Sequence, residues 1–258
     1  MSKPSLTATW LTNPRPNPRA ELRLFCFPYA GRGASVFHRW PAALPATVEV
    51  RPVQLPGRES RFGEPAFTHF MPVVEALADA LRPFLDRPFA FFGHSMGALV
   101  AFGLARELRR QGAAAPAGLL VSGRRAPQVP ARARPLHRLS DDELVAKLAA
   151  RGGLVPEVRQ NRELLALMLP VLRADLAVCE AYTYLAEPPL SCPITAYGGW
   201  EDPQASQDDL RAWGEQTAAR FRLRMFVGSH FFVHSAEPKV LEALAGDLPL
   251  PGQRARLG

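Results

Sequence analysis

Gly93-His94-Ser95-Met96-Gly97 sets a serine between two glycines, after the apolar run FAFF and before the small-residue stretch ALVAFGLA. The pattern is G-x-S-x-G. A strand entering and a helix leaving such a turn make the serine hydroxyl project from a sharp bend, and the glycines let the backbone close that tightly. A serine that merely caps a helix needs no glycine on either side. A hydroxyl is a weak nucleophile without a base, and six histidines are available. His94 adjoins Ser95, so its side chain is expected to point away from it. His38, His69 and His137 flank other segments and read as surface or packing residues. His230 follows the last strand-like run, in FVGSHFF, with His234 as its competitor four residues on. The base in turn needs a carboxylate to fix its tautomer and stabilise its charged form. Asp202 in YGGWEDP is the candidate, with Glu201 as the neighbour to exclude and an ordinary turn aspartate before Pro203 as the plainer reading. An anionic intermediate would need two backbone N–H donors. Met96 supplies one, and the loop FPYAGRGAS supplies the other, from Ala30 with Gly31 adjacent.

Those residues need elements to hold them. LRLFCF (22–27), PFAFFG (88–93), AGLLVSG (117–123), CPITAYGG (192–199) and RLRMFVG (222–228) read as strands, and VEVRPVQLPGR (48–58) as a strand leaving into a Gly turn. Helical spacing of apolar residues falls at 71–85, 96–112, around 206–220 and 237–248, and Gly112 is the stop signal of the second. Buried strands separated by helices predict a mostly parallel sheet covered on both faces, with sites at the strands' C-terminal edge. The order Ser95, Asp202, His230 is that of the α/β-hydrolase fold. The alternation stops after residue 130. Ser140 and Glu143 form a capping box that starts a helix, and 162–185 reads as two helices divided near Pro170. We therefore expect a core of 1–130 and 191–258 and a helical lid insertion of 131–190.

The net charge is +7, carried almost wholly by arginine, a composition that fits a bacterial GC-rich genome. Eight arginines and one acid, Glu107, fall between Arg106 and Arg138. That run is either a solvated face or a docking surface for an acidic partner. Neither a zinc finger nor an aromatic-interleaved basic stripe points to nucleic acid. Three widely spaced cysteines without a CxxC pair argue against a disulfide framework or a metal site and fit a reducing cytoplasm. Apolar runs are too short to span a membrane, and the N-terminal segment, which carries no signal-peptide pattern, is expected to lie over the surface.

FCFPYAGRGAS, VQLPGRESRF, FFGHSMGALVAFGLARELRRQG, LRADLAVCEAYTY, YGGWEDP and GSHFF together make the chain resemble the type II thioesterases, the free-standing editing hydrolases of polyketide and nonribosomal peptide synthesis. The resemblance runs from about residue 20 to 247, and LPGRE and RADL are its most specific parts. It departs from the family where His-Ala-Gly-Gly usually follows the first strand's Phe-Pro: Tyr29 and Arg32 replace the His and the second Gly. The resemblance implies an acyl group on the phosphopantetheine arm of a carrier protein as substrate. It also implies no cofactor, an acyl-enzyme on Ser95, and acidic carrier domains as partners, which would give the 106–138 arginines a purpose. Asp175 in RADL reads as a partner for an arginine or a helix cap, with no catalytic role. A monomer is expected. Alternatives with the same residues are a carboxylesterase or lipase of oxygen esters, a chain-releasing cyclising thioesterase, and an inactive hydrolase fold used as a scaffold.

Overall fold

The computed structural model describes residues 10–12, 17–132, 134–154 and 156–250. Six strands form one sheet: β1 (Leu22–Phe27), β2 (Val48–Pro52), β3 (Phe89–His94), β4 (Gly118–Ser122), β5 (Ile194–Gly199) and β6 (Phe221–Phe226). Their spatial order is β2-β1-β3-β4-β5-β6, with every neighbouring pair parallel. This is the architecture the alternating apolar runs predict.

Side-chain alternation along each strand splits the core in two. On one face Phe25, Phe27, Phe89 and Phe91 pack against α2 (Phe70–Leu81) and α3 (Met96–Arg110). On the other, Leu22, Leu24, Ala90 and Phe92 meet Trp40 of α1 (Trp40–Ala43), Phe232 of α8 (Phe232–Ser235) and α9 (Glu237–Asp247). Between β4 and β5 no strand of the sheet lies among the described residues; the stretch holds a 3-10 turn (Leu136–Arg138), α4 (Asp141–Ala150), α5 (Pro156–Gln160), α6 (Arg162–Glu180) and a single bridge from Leu190 to Thr217. The turn and helices share a separate small core of Leu136, Leu144, Leu148, Leu154, Leu169 and Leu172. The Ser140–Glu143 capping box opens α4 as expected.

Three expectations need correction. Pro170 does not divide 162–185 into two helices, because α6 runs through it. A proline there forfeits one backbone hydrogen bond, but buried Leu169 and Leu172 hold the turns on both sides against neighbouring helices. The helix expected around 206–220 is only α7 (Gln207–Arg211) followed by a 3-10 turn, Ala212–Gln216. Trp213 is fully buried there and its indole N–H donates to the Arg124 carbonyl at 2.7 Å, which draws the chain off the α repeat. Trp10 and Leu11 do not lie over the surface. Both are buried, Leu11 pairs with Val53, and the Arg61 guanidinium sits 4.2 Å over the Trp10 ring.

Candidate active site

Ser95 follows β3 and precedes α3 with φ 53° and ψ −110°, a conformation that side chains with a Cβ rarely adopt. Such backbone strain costs of order 1–3 kcal/mol and survives only where the surroundings enforce it. Here they do. A Cβ on Gly93 would fall on the Gly97 carbonyl, and one on Gly97 would fall on the Phe27 carbonyl. The elbow is thus wedged against the end of β1, and the Ser95 N–H donates to the Ser122 carbonyl at 2.7 Å. Although Ser95 stands at the N-cap position, its side chain makes no capping hydrogen bond. Ser95 lines two cavities.

The loops after β5 and β6 are pressed together in the same way. Gly199 has Gly228 and Ser229 carbonyls where a Cβ would stand, and the Glu201 N–H donates to the Gly228 carbonyl at 3.0 Å. That contact brings Asp202 to His230: Nδ1 lies 2.8 Å from Oδ2, and both side chains are buried. Asp202 Oδ1 accepts from the Gln204 N–H at 2.8 Å. With Nδ1 donating to a carboxylate, Nε2 of the neutral ring is the free acceptor. His230 lines the smaller cavity beside Ser95. The rival residues lie elsewhere: Glu201 is exposed, and exposed His234 is 2.9 Å from the Tyr29 hydroxyl. His94 points to β4, where its Nδ1 is 2.9 Å from Ser122 Oγ. Its ring packs 5.1 Å from that of His230. Burial first, and then the neighbouring imidazoles, hold His94 well below the ordinary histidine value. It is a neutral wall to the site.

The Ala30 and Gly31 amides separate clearly. The Gly31 N–H donates to Asp175 Oδ2 at 2.7 Å, whereas the Ala30 N–H makes no backbone hydrogen bond among the described residues. Met96 opens α3, where N–H groups have no partner within the helix. Asp175 lies on α6, and Arg58 grips it with both terminal nitrogens, Nη2 to Oδ1 at 2.8 Å. Arg58 also donates to the Arg32 carbonyl at 3.3 Å. The LPGRE and RADL motifs therefore bind each other and the loop between them, a link that spacing alone does not reveal. The specificity of the two motifs was the one available signal.

Around Ser95 the two cavities differ in chemistry. The smaller, about 80 Å³, is walled by Leu148, Leu154, Met168, Leu172 and Leu176 of the helical segment. The larger, about 430 Å³, runs past Arg124, Arg125, Arg132 and Arg134. The eight arginines between 106 and 138 do not form one surface. Arg106, Arg109 and Arg110 converge on Glu187. Burial alone would raise the Glu187 carboxyl, but its arginine hydrogen bonds override that and bring it down to about 2. These three tie α3 to the segment leading back from α6. Among the described residues no His, Cys, Asp and Glu cluster suits a metal ion.

The chain matches the thioesterase domain family over residues 22–248. It is 44% identical over 242 residues to a protein of Brevibacillus parabrevis named linear gramicidin dehydrogenase, a match covering 93% of this chain and 92% of that protein. RedJ, the thioesterase of the prodiginine biosynthetic pathway in Streptomyces coelicolor, superposes with a TM-score of 0.85 at 40% identity, covering 95% of this chain and 100% of that one. The type II thioesterase BorB of the borrelidin biosynthetic cluster gives 0.84 at 38% identity, covering 92% and 97%.

Proposed function

Because the chain belongs to the thioesterase family, it is a hydrolase of thioesters, and we propose that Ser95, His230 and Asp202 carry the reaction. Ser95 Oγ attacks the thioester carbonyl while His230 Nε2 takes its proton. Asp202 holds the imidazole in the required tautomer and stabilises the imidazolium. The oxyanion accepts hydrogen bonds from the Ala30 and Met96 N–H groups. As the C–S bond breaks, the imidazolium returns the proton to the departing sulfur, leaving a free thiol and an acyl group on Ser95. Water then attacks this ester, His230 takes the water's proton and hands it to Ser95 Oγ, and a free acid departs. The observation that carries this reading is the buried His230–Asp202 hydrogen bond of 2.8 Å beside a serine on a strained elbow.

The proposed substrate is an acyl group on the phosphopantetheine arm of a carrier domain in a polyketide or nonribosomal peptide synthase, and the task is to clear stalled or mis-primed chains. What supports this is the biosynthetic setting of the gramicidin, prodiginine and borrelidin relatives. The dehydrogenase name of the first is not carried over: a dinucleotide-binding Gly-x-Gly-x-x-Gly turn beginning at Gly31 needs its third glycine where Val36 stands. Residues 131–190 act as the lid over Ser95. Acidic carrier domains dock on the exposed arginines of the 106–138 region that Glu187 does not engage, Arg132, Arg134 and Arg138. The enzyme works as a monomer in a bacterial cytoplasm, without cofactor or metal. No helix among the described residues is long and apolar enough to cross a membrane. The test is hydrolysis of an acyl carrier thioester against the matching oxygen ester. We expect the thioester to be strongly preferred and Asp202→Asn to lower its kcat about 10⁴-fold. Preference for the oxygen ester would make the protein a carboxylesterase instead.

A further inference from the structure

Arg124, Arg125, Arg132 and Arg134 line the larger cavity and take no part in the smaller one. Of the four, only Arg132 meets a carboxylate among the described residues: its two terminal nitrogens lie 3.1 and 2.8 Å from Asp209. Arg125 Nε donates to the Val129 carbonyl at 3.2 Å. Arg124 and Arg134 make no side-chain hydrogen bond to any described residue. The cavity's other acid, Glu180, is taken by the Leu136 and His137 N–H groups and the His137 ring. Arg124 and Arg125 are half-buried, so their charge is neither fully hydrated nor neutralised. Burial first, and the adjacent Arg124 next, hold the Arg125 guanidinium below the usual arginine value. With Arg151, which lines both cavities, five arginines surround the larger one against two acids, Asp209 and Glu180, and their planar guanidinium forks match phosphate oxygens in pairs.

A thioester bound at Ser95 extends in two directions. Its acyl side fits the smaller, leucine-walled cavity, which leaves the thiol side for the larger one. Coenzyme A and carrier proteins present their thiols on the same arm, pantetheine ending in a phosphate. Resting on the thioesterase reading above, we infer that Arg124 and Arg125, with Arg132 and Arg134 at the rim, form a subsite for the phosphate of that arm. The subsite places the thioester by gripping the far end of its arm. It acts on any phosphopantetheine thioester, before and apart from any contact with the carrier's own surface.

The experiment compares butyryl-pantetheine with butyryl-4′-phosphopantetheine, which differ by that phosphate alone, on the full-length protein at low salt. The wild type should favour the phosphorylated substrate by about ten- to a hundredfold in kcat/KM, the range of charge-assisted hydrogen bonds. The Arg124→Gln/Arg125→Gln double variant should bring that ratio to about one. Raising the salt on the wild type should shrink the ratio in the same direction, which keeps the test valid if the variant misfolds. Butyryl-coenzyme A and a butyryl carrier protein should both lose about tenfold in the variant. Equal turnover of the two pantetheine substrates by the wild type would overturn the subsite and leave the thioesterase reading intact. A loss confined to the carrier protein would move these arginines to the docking surface and also overturn it. Hydrolysis of neither substrate would refute the thioesterase reading itself.

Discussion

Replacing Asp175 by Asn keeps the side chain's shape and removes its charge. In the native chain that carboxylate is 3% exposed and paired with a 7% exposed Arg58. Breaking a buried ion pair from one side leaves an uncompensated charge, at a cost of about 3–5 kcal/mol. The amide oxygen of Asn still accepts one hydrogen bond, so the lower end, about 3 kcal/mol, applies. In a chain of this size that lowers Tm by roughly 6–12 °C. The effect on catalysis follows from the Gly31 N–H, which donates to Asp175 at 2.7 Å and so fixes the loop that aims the Ala30 N–H. Deleting an oxyanion donor costs about 10²–10³ in rate. A donor that is loosened and not lost should cost about 10- to 100-fold. The loss should fall on kcat with KM little changed, because the donor acts on charge that develops after binding. Steady-state kinetics at 25 °C, well below the midpoint, alongside thermal melts, separate the two effects. A lowered Tm with unchanged kcat would refute the link from Asp175 to the oxyanion loop.

Other perturbations probe the anchor of α3 and the acyl cavity. The Glu187 carboxyl is held at about 2 against 4.5 when free, so its contribution is complete above about pH 4.5 and is lost as the pH falls toward 2. Discounted for the partly exposed Arg109 and Arg110, Glu187→Gln should cost about 1–2 kcal/mol at pH 7 and flatten the acid limb of the stability curve between those values, as read by urea melts. Leu172→Ala should enlarge the 80 Å³ cavity and shift selectivity in an acyl-length series toward longer chains, by about fourfold in kcat/KM for each methylene newly buried. An unchanged length profile would remove this cavity from the acyl path.

The sheet and the elbow were readable in the sequence because their signals are local. Continuous apolar runs mark β1, β3 and β4, and two glycines around one serine mark the turn. Asp202 and His230 were readable because chain order and strand ends place them at one edge. That Asp175 could meet an arginine was readable, but not that the arginine is Arg58, since the two stand 117 residues apart and a contact between elements has no period. For the same reason the arginines at the end of α3 read as free surface: Glu187, which holds three of them, lies 77 residues beyond Arg110. Pro170 misled through its ordinary helix-breaking role, which packing on both sides of it outweighs.

In the proposed mechanism Ser95 carries the acyl group between two half-reactions. Mixing the protein with an acyl carrier thioester, quenching within milliseconds and measuring peptide masses reads out that intermediate. One acyl adduct is expected on the peptide containing Ser95, and none in Ser95→Ala. An adduct on another residue, or hydrolysis persisting at the wild-type rate in Ser95→Ala, would contradict that mechanism.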